Sequence, residues 1–400
     1  MREMFSRCGR RSSVRSAAFG ARRGRSLAAR PAVESLESLL LPSTTPAFPG
    51  AYGFGAGATG GRGGPVYVVT NLNDAGPGSF RDAVSRPHRI VDFGVGGSIV
   101  LKSAVSVARN VTIEGQTAPG DGIGVVGNEV SFSKSSNDIV RYIRFRQGTN
   151  DPDGHHSGIN LGKSHDMILD HVSIEFARYD SIDAVGASNV TVQDSIIADP
   201  IGQQFGAHVE GGPITFYGDV WANAHNRQPL AKSDTQFVDN VVYNYQAAYT
   251  VADTSGSFRH DIIDNIFVTG PATSKAGDAF FQMNSWQSAY SRGNVLDGNK
   301  DGVLNGTRLG NLAGTTPLAG PWSPLSATLP TTDASAAYAY DLANAGDSLH
   351  RDAVDSLVIG QVATLGKGPT GTGRGTAGPG RGLYTSQAQA GLPGNGYGTP

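Results

Sequence analysis

Residues 189–197 read Asn-Val-Thr-Val-Gln-Asp-Ser-Ile-Ile, in which β-branched residues alternate with polar ones before a turn. An alternation with a period of two predicts a strand with one buried face. Similar segments start 22 to 30 residues apart, at residues 110, 137, 165, 189, 214, 236, 260 and 290. A repeat of this length is typical of stacked coils that each bury little surface alone.

The repeat favours one all-β architecture over its competitors. No helical pattern of ordinary length separates the strands, which argues against an α/β fold, and leucines do not recur at the fixed offsets of a leucine-rich repeat. We therefore predict a parallel β-helix. Asn240, Asn265 and Asn294 fall at equivalent turns, where we expect left-handed backbone and hydrogen bonds to the neighbouring coil.

The regions beside the repeat divide the chain into three predicted parts. Residues 1–45 form a basic leader that we expect to be disordered, and residues 46–315 form the β-helix catalytic domain. In the second part, Gly78–Val84 is predicted to be a short capping helix with Ser79 as its N-cap. Residues 316–400 form an irregular C-terminal wrap and a Gly-rich tail, with a helix candidate at 336–345 and a second short element at 353–361.

Composition excludes several classes of protein. Charged residues are only 16% of the chain and the formal net charge is −2, so nucleic acid is not a predicted partner. No run of 18 apolar residues exists, and no transmembrane segment is predicted. Cys8 is the single cysteine, so no intrachain disulfide can form.

The segment His225–Lys232 contains the strongest candidates for chemistry. Arg227 lies two residues before Pro229, and Lys232 follows at a distance of five residues. Proline restricts the residue before it toward extended backbone, so we expect Arg227 on a stiff, extended piece of chain. A guanidinium held in this way suits a ligand that bears carboxylates. The alternative is a strand end with two solvated cations.

Carboxylates in the preceding coils could hold a hard cation. Asp180 and Asp183 lie three residues apart at a strand-to-turn junction, and Asp151 and Asp153 come one coil earlier. Coils stack at ~4.8 Å, so side chains from neighbouring coils can converge on one Ca²⁺. The alternative is ordinary turn chemistry, in which Asp is common.

The histidines show no His-Glu-x-x-His or Cys-His spacing for zinc. We expect His165 and His171, which lie in or beside strands, to be structural. His208, in a turn one coil before Arg227, is a candidate site residue.

The sequence resembles the pectate lyase family of polysaccharide lyases, over about residues 46–310. The segments that carry the resemblance are Phe48–Ala51 with the Gly-rich loop behind it, Val69–Ser79, Gly115–Ile123, Val140–Arg146, Leu169–Ser173 and Arg227–Pro229. The resemblance implies a right-handed parallel β-helix and a β-elimination on a uronate polymer, with Ca²⁺ as cofactor.

The resemblance also implies roles for individual residues. The catalytic arginine of the family is the first of Arg-x-Pro-x-x-Arg, which falls on Arg227, and Lys232 replaces the second arginine. The acidic turn of the family maps onto Asp180 and Asp183 as calcium ligands. An earlier aspartate of the family is expected near residues 156–157, where this chain has His-Ser. Either Asp153 or Asp151 substitutes for it, or calcium arrives mainly with the substrate.

The remaining predictions concern substrate and location. His208 and His225 are predicted to bind an acidic polysaccharide, and the protein is expected to be a monomer. Residues 1–30 hold nine arginines, and the segment through Leu41 resembles the basic leader of planctomycete extracellular proteins, which implies a secreted or cell-surface protein. Two alternative functions stay open, a non-catalytic glycan-binding or surface module and a lyase of methylated pectin.

Overall fold

The structure is a computed structural model that describes residues 45–310, 312, 314–367 and 383–398. The predicted basic leader therefore lies outside the described residues, apart from residue 45. Among the described residues, no helix is both long and apolar enough to cross a bilayer.

In the part of the chain that the structure describes, 26 strands form most of the regular structure. In chain order they are β1 Val66–Val69, β2 Arg89–Phe93, β3 Gly97–Val100, β4 Val105–Ser106, β5 Val111–Glu114, β6 Ile123–Val126, β7 Val130–Ser131, β8 Ile139–Arg141, β9 Arg144–Arg146, β10 Ile159–Asn160, β11 His165–Asp170, β12 Ser173–Glu175, β13 Asp180–Gln193, β14 Ile196–Ala198, β15 Phe205–Tyr217, β16 Val220–Ala222, β17 Leu230–Val238, β18 Val241–Tyr243, β19 Tyr249–Thr250, β20 Arg259–Ile263, β21 Ile266–Val268, β22 Phe280–Phe281, β23 Ser288–Arg292, β24 Val295–Asp297, β25 Thr307–Arg308 and β26 Thr316–Pro317.

The strands pair in parallel along two long sheets. One sheet has 16 strands and the other has 10, and each strand pairs with its equivalent in the next coil, as β13 pairs with β15 and β15 with β17. In the described residues the exception is β25, which pairs antiparallel with β24. This stacking confirms the predicted right-handed parallel β-helix.

Side chains of successive coils form the interior. Val190, Phe216 and Phe237 are fully buried in one hydrophobic cluster, and Phe216 packs edge-on against Trp221 at 5.0 Å. Their neighbours in the strands are polar, as the period of two predicts, but Thr191, Thr215 and Gln236 are also buried because residues 52–54 and Ser326 cover them. The solid core leaves the outer face of the coils for function.

A ladder of buried asparagines joins the turns. The Oδ1 atom of Asn265 accepts from Asn240 N at 2.8 Å, and that of Asn294 accepts from Asn265 N at 3.0 Å, so the predicted bonds between coils are confirmed. The predicted left-handed backbone is wrong for these asparagines. The residue before each turn asparagine takes that conformation instead, as Asp239 (φ 54°) and Asp264 (φ 56°) do.

Replacement of Asn265 by alanine should destabilise the coil stack. The change leaves the buried amide N–H of Asn240 and the carbonyl of Phe237 without their partners. A buried group that loses its hydrogen bond costs about 1–3 kcal/mol. Denaturant unfolding monitored by circular dichroism should show a loss of this size, whereas Asn299→Ala, which changes an exposed asparagine, should lie within about 0.5 kcal/mol of the parent. Equal stability of the two variants would contradict a role for the ladder.

A short helix lies at the N-terminal end of the coils, and the Gly-rich loop runs along their side. Helix α1, Phe80–Val84, begins after Ser79, whose side chain accepts from Asp82 N, and this confirms the predicted cap. The loop lies directly against the coils, because a Cβ atom at Gly55 would stand 2.0 Å from Met167 O and one at Gly61 would stand 2.0 Å from Arg89 O. Only glycine permits this approach of backbone to backbone.

The C-terminal wrap packs on the ten-stranded sheet. Helices α2, Ala334–Asn344, and α3, Ala353–Val362, bury Tyr338 and Val358 against that sheet. The predicted helix at 336–345 is confirmed, and the short element predicted at 353–361 is a helix as well. Residues 383–398 return to the coils, where Tyr397 contacts Phe176.

Two buried arginines of β9 hold the wrap in place. Arg146 Nη2 pairs with Asp355 Oδ1 at 3.0 Å, and Arg144 Nη2 pairs with Asp347 Oδ2 at 3.1 Å. Two of the three arginines between residues 141 and 146 therefore have a structural role, since Arg144 and Arg146 neutralise carboxylates of the wrap.

Candidate active site

Three successive coils bring the predicted residues together on the outer face. In the register of the long sheet, Asp183 lies beside His208, and Glu210 lies beside Lys232. Residues far apart in sequence become neighbours because each coil returns the chain to the same face one strand spacing away.

Arg227 pairs with the carboxylate of the coil two positions earlier. Its Nη1 atom donates to both oxygens of Asp180, at 2.9 and 3.1 Å, and its guanidinium lies 3.9 Å from the ring centroid of Phe205. The aromatic face below and the carboxylate beside it fix the direction of the guanidinium. About a fifth of the Arg227 side chain remains exposed.

The backbone of Arg227 differs from the prediction. Arg227 has a φ of 66° and is therefore left-handed rather than extended, and the Gln228–Pro229 peptide is cis. Its carbonyl accepts from Ala207 N at 2.7 Å, and a Cβ atom at Gly206 would stand 2.2 Å from the same oxygen. The glycine lets the turn of Arg227 lie against the preceding coil, which proline geometry alone did not predict.

His208 and Lys232 share one carboxylate. The Oε1 atom of Glu210 lies 2.9 Å from His208 Nε2 and 3.4 Å from Lys232 Nζ, and His208 Nδ1 lies 4.0 Å from Asp180 Oδ2. The hydrogen bond from His208, with the charge of Lys232, lowers the pKa of Glu210 despite partial burial. The five side chains Arg227, Asp180, His208, Glu210 and Lys232 form one network of alternating charge.

Asp180 titrates near neutral pH. Burial raises its pKa from 3.8 to about 6, and the positive charge of Arg227 and His208 opposes this rise. Asp183 lies close enough to repel it and contributes to the rise. A carboxylate with such a pKa changes its charge in the range where enzymes commonly work.

The predicted calcium ligands are only partly brought together. Asp183 Oδ1 accepts from Val185 N at 3.0 Å and Asp180 lies nearby, but Asp153 pairs with the histidines of its own loop, 3.4 Å from His155 and 3.3 Å from His156. The alternative, Asp151, is buried and contacts His156 at 2.9 Å.

Sequence reasoning missed Glu129. Burial raises its pKa, and repulsion from Asp183 and Asp151 adds to the rise. Its Oε2 atom accepts from Ser157 N at 2.9 Å. The strand register connects this coil to Asp183, because Ser131 pairs with Asn160 and Asn160 pairs with Asp183. Strand β7 has only two residues, so the sequence shows no alternating pattern there.

His225 contacts the same aromatic ring as Arg227. Its ring stacks on Phe205 at 6.4 Å with an interplanar angle of 27°. Phe205 thus contacts two predicted site residues, a role that no sequence pattern indicated.

Comparisons with known proteins agree with the coil architecture. No model of a known protein family matches the chain. The chain is 42% identical over 330 residues to the probable pectate lyase C of Emericella nidulans, across 80% of this chain and 76% of that protein. It is 41% identical over 365 residues to the probable pectate lyase C of Aspergillus fumigatus, across 88% and 83% of the two chains.

A solved structure shares the fold at low identity. The pectate lyase of Bacillus sp. N165, in complex with trigalacturonate, superposes with a TM-score of 0.52 at 18% identity, across 74% of this chain and 98% of that one. The extent and identity of the match to the fungal proteins show that this chain belongs to the pectate lyase family.

Proposed function

We propose that this protein cleaves polygalacturonate by calcium-assisted β-elimination, with Arg227 as the catalytic residue. The observation that carries the proposal is a partly exposed guanidinium, held by Asp180 and Phe205, in a network that reaches a second cation, Lys232, through His208 and Glu210. Membership in the pectate lyase family supports the substrate class.

The chemistry requires positive charge at the uronate carboxylate. In a β-elimination the C5–H electron pair forms the C4–C5 double bond, the C4–O4 bond breaks, and the departing O4 takes up a proton from solvent. The C5 proton is weakly acidic until charge on the adjacent carboxylate is stabilised. We assign removal of this proton to Arg227, and binding of the carboxylate to Lys232.

Arginine accepts a proton only where other positive charge disfavours its charged form. Lys232 supplies part of that charge. Bound Ca²⁺ would neutralise the uronate carboxylate and add to the positive field at Arg227.

Asp180, Asp183 and Glu129 would hold the calcium. Their carboxylates are the all-oxygen donor set that Ca²⁺ prefers, and Asp180 and Glu129 both have a pKa raised by burial and by neighbouring acids, which a cation would relieve. The two oxygens of Asp180 cannot bind a metal ion and accept the hydrogen bonds from Arg227 at the same time. Its role as a ligand would therefore free the guanidinium for the substrate.

A direct assay tests the proposed activity. Purified protein is mixed with polygalacturonate, and the ultraviolet absorbance of the 4,5-unsaturated product is followed with Ca²⁺ and then with a chelator. We expect a rise that the chelator stops. An absorbance increase that persists in the presence of chelator, and that is greater with methylated pectin, would favour the pectin lyase alternative. Binding without any rise would favour the non-catalytic module.

The activity should depend on pH through Asp180. Because its pKa is about 6, Asp180 is protonated below that pH and loses the charge that a calcium ligand needs. We expect the calcium concentration for half-maximal activity to increase as the pH falls through about 6. Calcium titrations across this range should show the increase in the parent and a flatter dependence in Asp180→Asn. The same slope in both proteins would contradict the assignment.

We also propose that the protein acts outside the cell as a monomer. An acidic wall polysaccharide is an extracellular polymer, and the basic leader of residues 1–45 resembles that of exported proteins. Fractionation of the source cells and sedimentation of the purified protein test these two points.

A further inference from the structure

A second cluster of ionisable side chains lines a cavity at the other end of the strands. The cavity measures about 520 Å³ and lies where β11, β13 and β15 end, beneath helix α2. Strand β13 runs from Asp180, in the candidate active site, to Gln193, at the cavity. The proposed β-elimination uses none of the residues here.

Three potential metal ligands converge in this cavity. Ligand atoms of Asp170, His171 and Asp194 all lie within 4.8 Å of one another. His171 Nδ1 is buried and stands 3.1 Å from Asp170 Oδ2. Two ligands on a tetrahedral zinc ion are ~3.3 Å apart, given bonds of ~2.0–2.1 Å. The separation therefore fits two ligands of one small cation.

Buried carboxylate oxygens without partners face the same space. Asp194 is 6% exposed and its Oδ1 atom has no hydrogen-bond partner, and Asp341 of α2 is 1% exposed with both oxygens unpartnered. A Cβ atom at Gly218 would lie 2.8 Å from Asp194 Oδ1 and 3.6 Å from Asp341 Oδ1, so both oxygens point toward one patch of the wall. Native proteins rarely leave such groups without a partner.

The charges of the cavity are unbalanced. Of its described lining residues, Arg141 is the one lysine or arginine, and it pairs with Asp170 at 2.7 Å. Asp194 and Asp341, which also line the cavity, are both buried. These carboxyls must either keep protons or share a cation.

We propose that Asp170, His171 and Asp194 bind Zn²⁺, and that Asp341 faces the metal from α2. The imidazole nitrogen favours zinc over calcium, which takes oxygen ligands. Arg141 and Gln193, which donate to Asp170 at 2.7 Å each, would orient that ligand from behind. The metal would fasten α2, and with it the C-terminal wrap, to the coils. His171 is then a ligand and not merely structural.

Metal binding to the full chain tests the proposal directly. Protein stripped by a chelator is titrated with Zn²⁺ in a calorimeter, and Co²⁺ is used as a coloured substitute whose visible bands report the ligands. We expect one equivalent of Zn²⁺ in the parent and loss of that binding in His171→Gln and in Asp194→Asn. His165→Gln is the matched control, because His165 begins β11, is half-exposed and pairs with Asp166.

Two further measurements separate this site from the candidate active site. Asp180→Asn should keep its Zn²⁺, and His171→Gln should keep turnover of polygalacturonate. Hydrogen exchange in α2 should slow when Zn²⁺ is added to the parent and stay unchanged in Asp194→Asn. Absence of Zn²⁺ binding in the parent, or equal binding in His171→Gln, would overturn the proposal and leave protonated carboxyls as the explanation of the cavity.

Discussion

Arg227→Ala is expected to lower the turnover of polygalacturonate by about 10³-fold or more. The change removes both the proposed proton acceptor and one of the charges at the uronate carboxylate, and each such contribution is typically 10²–10⁴-fold. The fold should persist, since the Arg227 side chain contacts the outer face of the coils and not the hydrophobic interior. Initial rates of product absorbance at saturating calcium measure the effect, and circular dichroism checks the fold.

The control for this change is another arginine in an ion pair. Arg292 pairs with Asp264 at 2.5 Å and is about half exposed, so Arg292→Ala removes the same type of side chain elsewhere on the coils. We expect its turnover to stay within twofold of the parent. Arg227→Lys adds a second comparison, because it keeps the charge without the planar fork and should still lose most activity. Turnover of Arg227→Ala equal to that of the control would reject the catalytic assignment.

The fold was predictable because local and global signals coincide in it. The period of two in segments such as 189–197 predicts strands, the spacing of the segments predicts coils, and Asn240 and Asn265 form the expected bonds between turns. No helix was needed to connect the strands, so few architectures remained. The left-handed position was misplaced by one residue, since either neighbour of a tight turn can supply it.

The site was less predictable because loop lengths set its geometry. Arg227, Lys232 and His208 lie on regular coils, so the repeat was enough to bring them near Asp180. Asp153 lies in an irregular loop whose path the repeat does not determine, and there it pairs with His156. The contact between the Arg227 guanidinium and the Phe205 ring depends on which residues of successive coils are aligned with one another. Register of this kind cannot be read from spacings that vary between 22 and 30 residues.

The ligand cluster in the cavity under α2 could not be predicted from the sequence for a different reason. His171 follows a strand and has no zinc spacing, so its sequence context indicates a structural role. Asp194 comes from the next coil and Asp341 from the distant wrap. A ligand set gathered from three separate segments carries no local motif, and only tertiary structure reveals it.

Replacement of Asp180 and Asp183 together by asparagine is expected to raise the calcium concentration for half-maximal activity at least about tenfold. Asparagine keeps the shape of each side chain but replaces one carboxylate oxygen by an amide nitrogen. The double variant therefore loses two negative charges from the proposed ligand set, and calcium affinity depends on ligand charge. Asp180→Asn also weakens the pair with Arg227, so maximal turnover should fall as well. Calcium titrations of initial rate separate the two effects.

Single variants show how much each predicted ligand contributes to the calcium requirement. Asp183→Asn should raise the calcium requirement with little effect on the position of Arg227, whereas Asp153→Asn should raise it only if its loop turns toward Asp183 on binding. Asp166→Asn is the control, since Asp166 is exposed and pairs with His165 at 2.7 Å. A calcium titration of the double variant that matches this control would remove Asp180 and Asp183 as ligands. Glu129 would then be the next residue to replace. Burial and repulsion from Asp183 raise its pKa, and a bound cation would stabilise its negative charge.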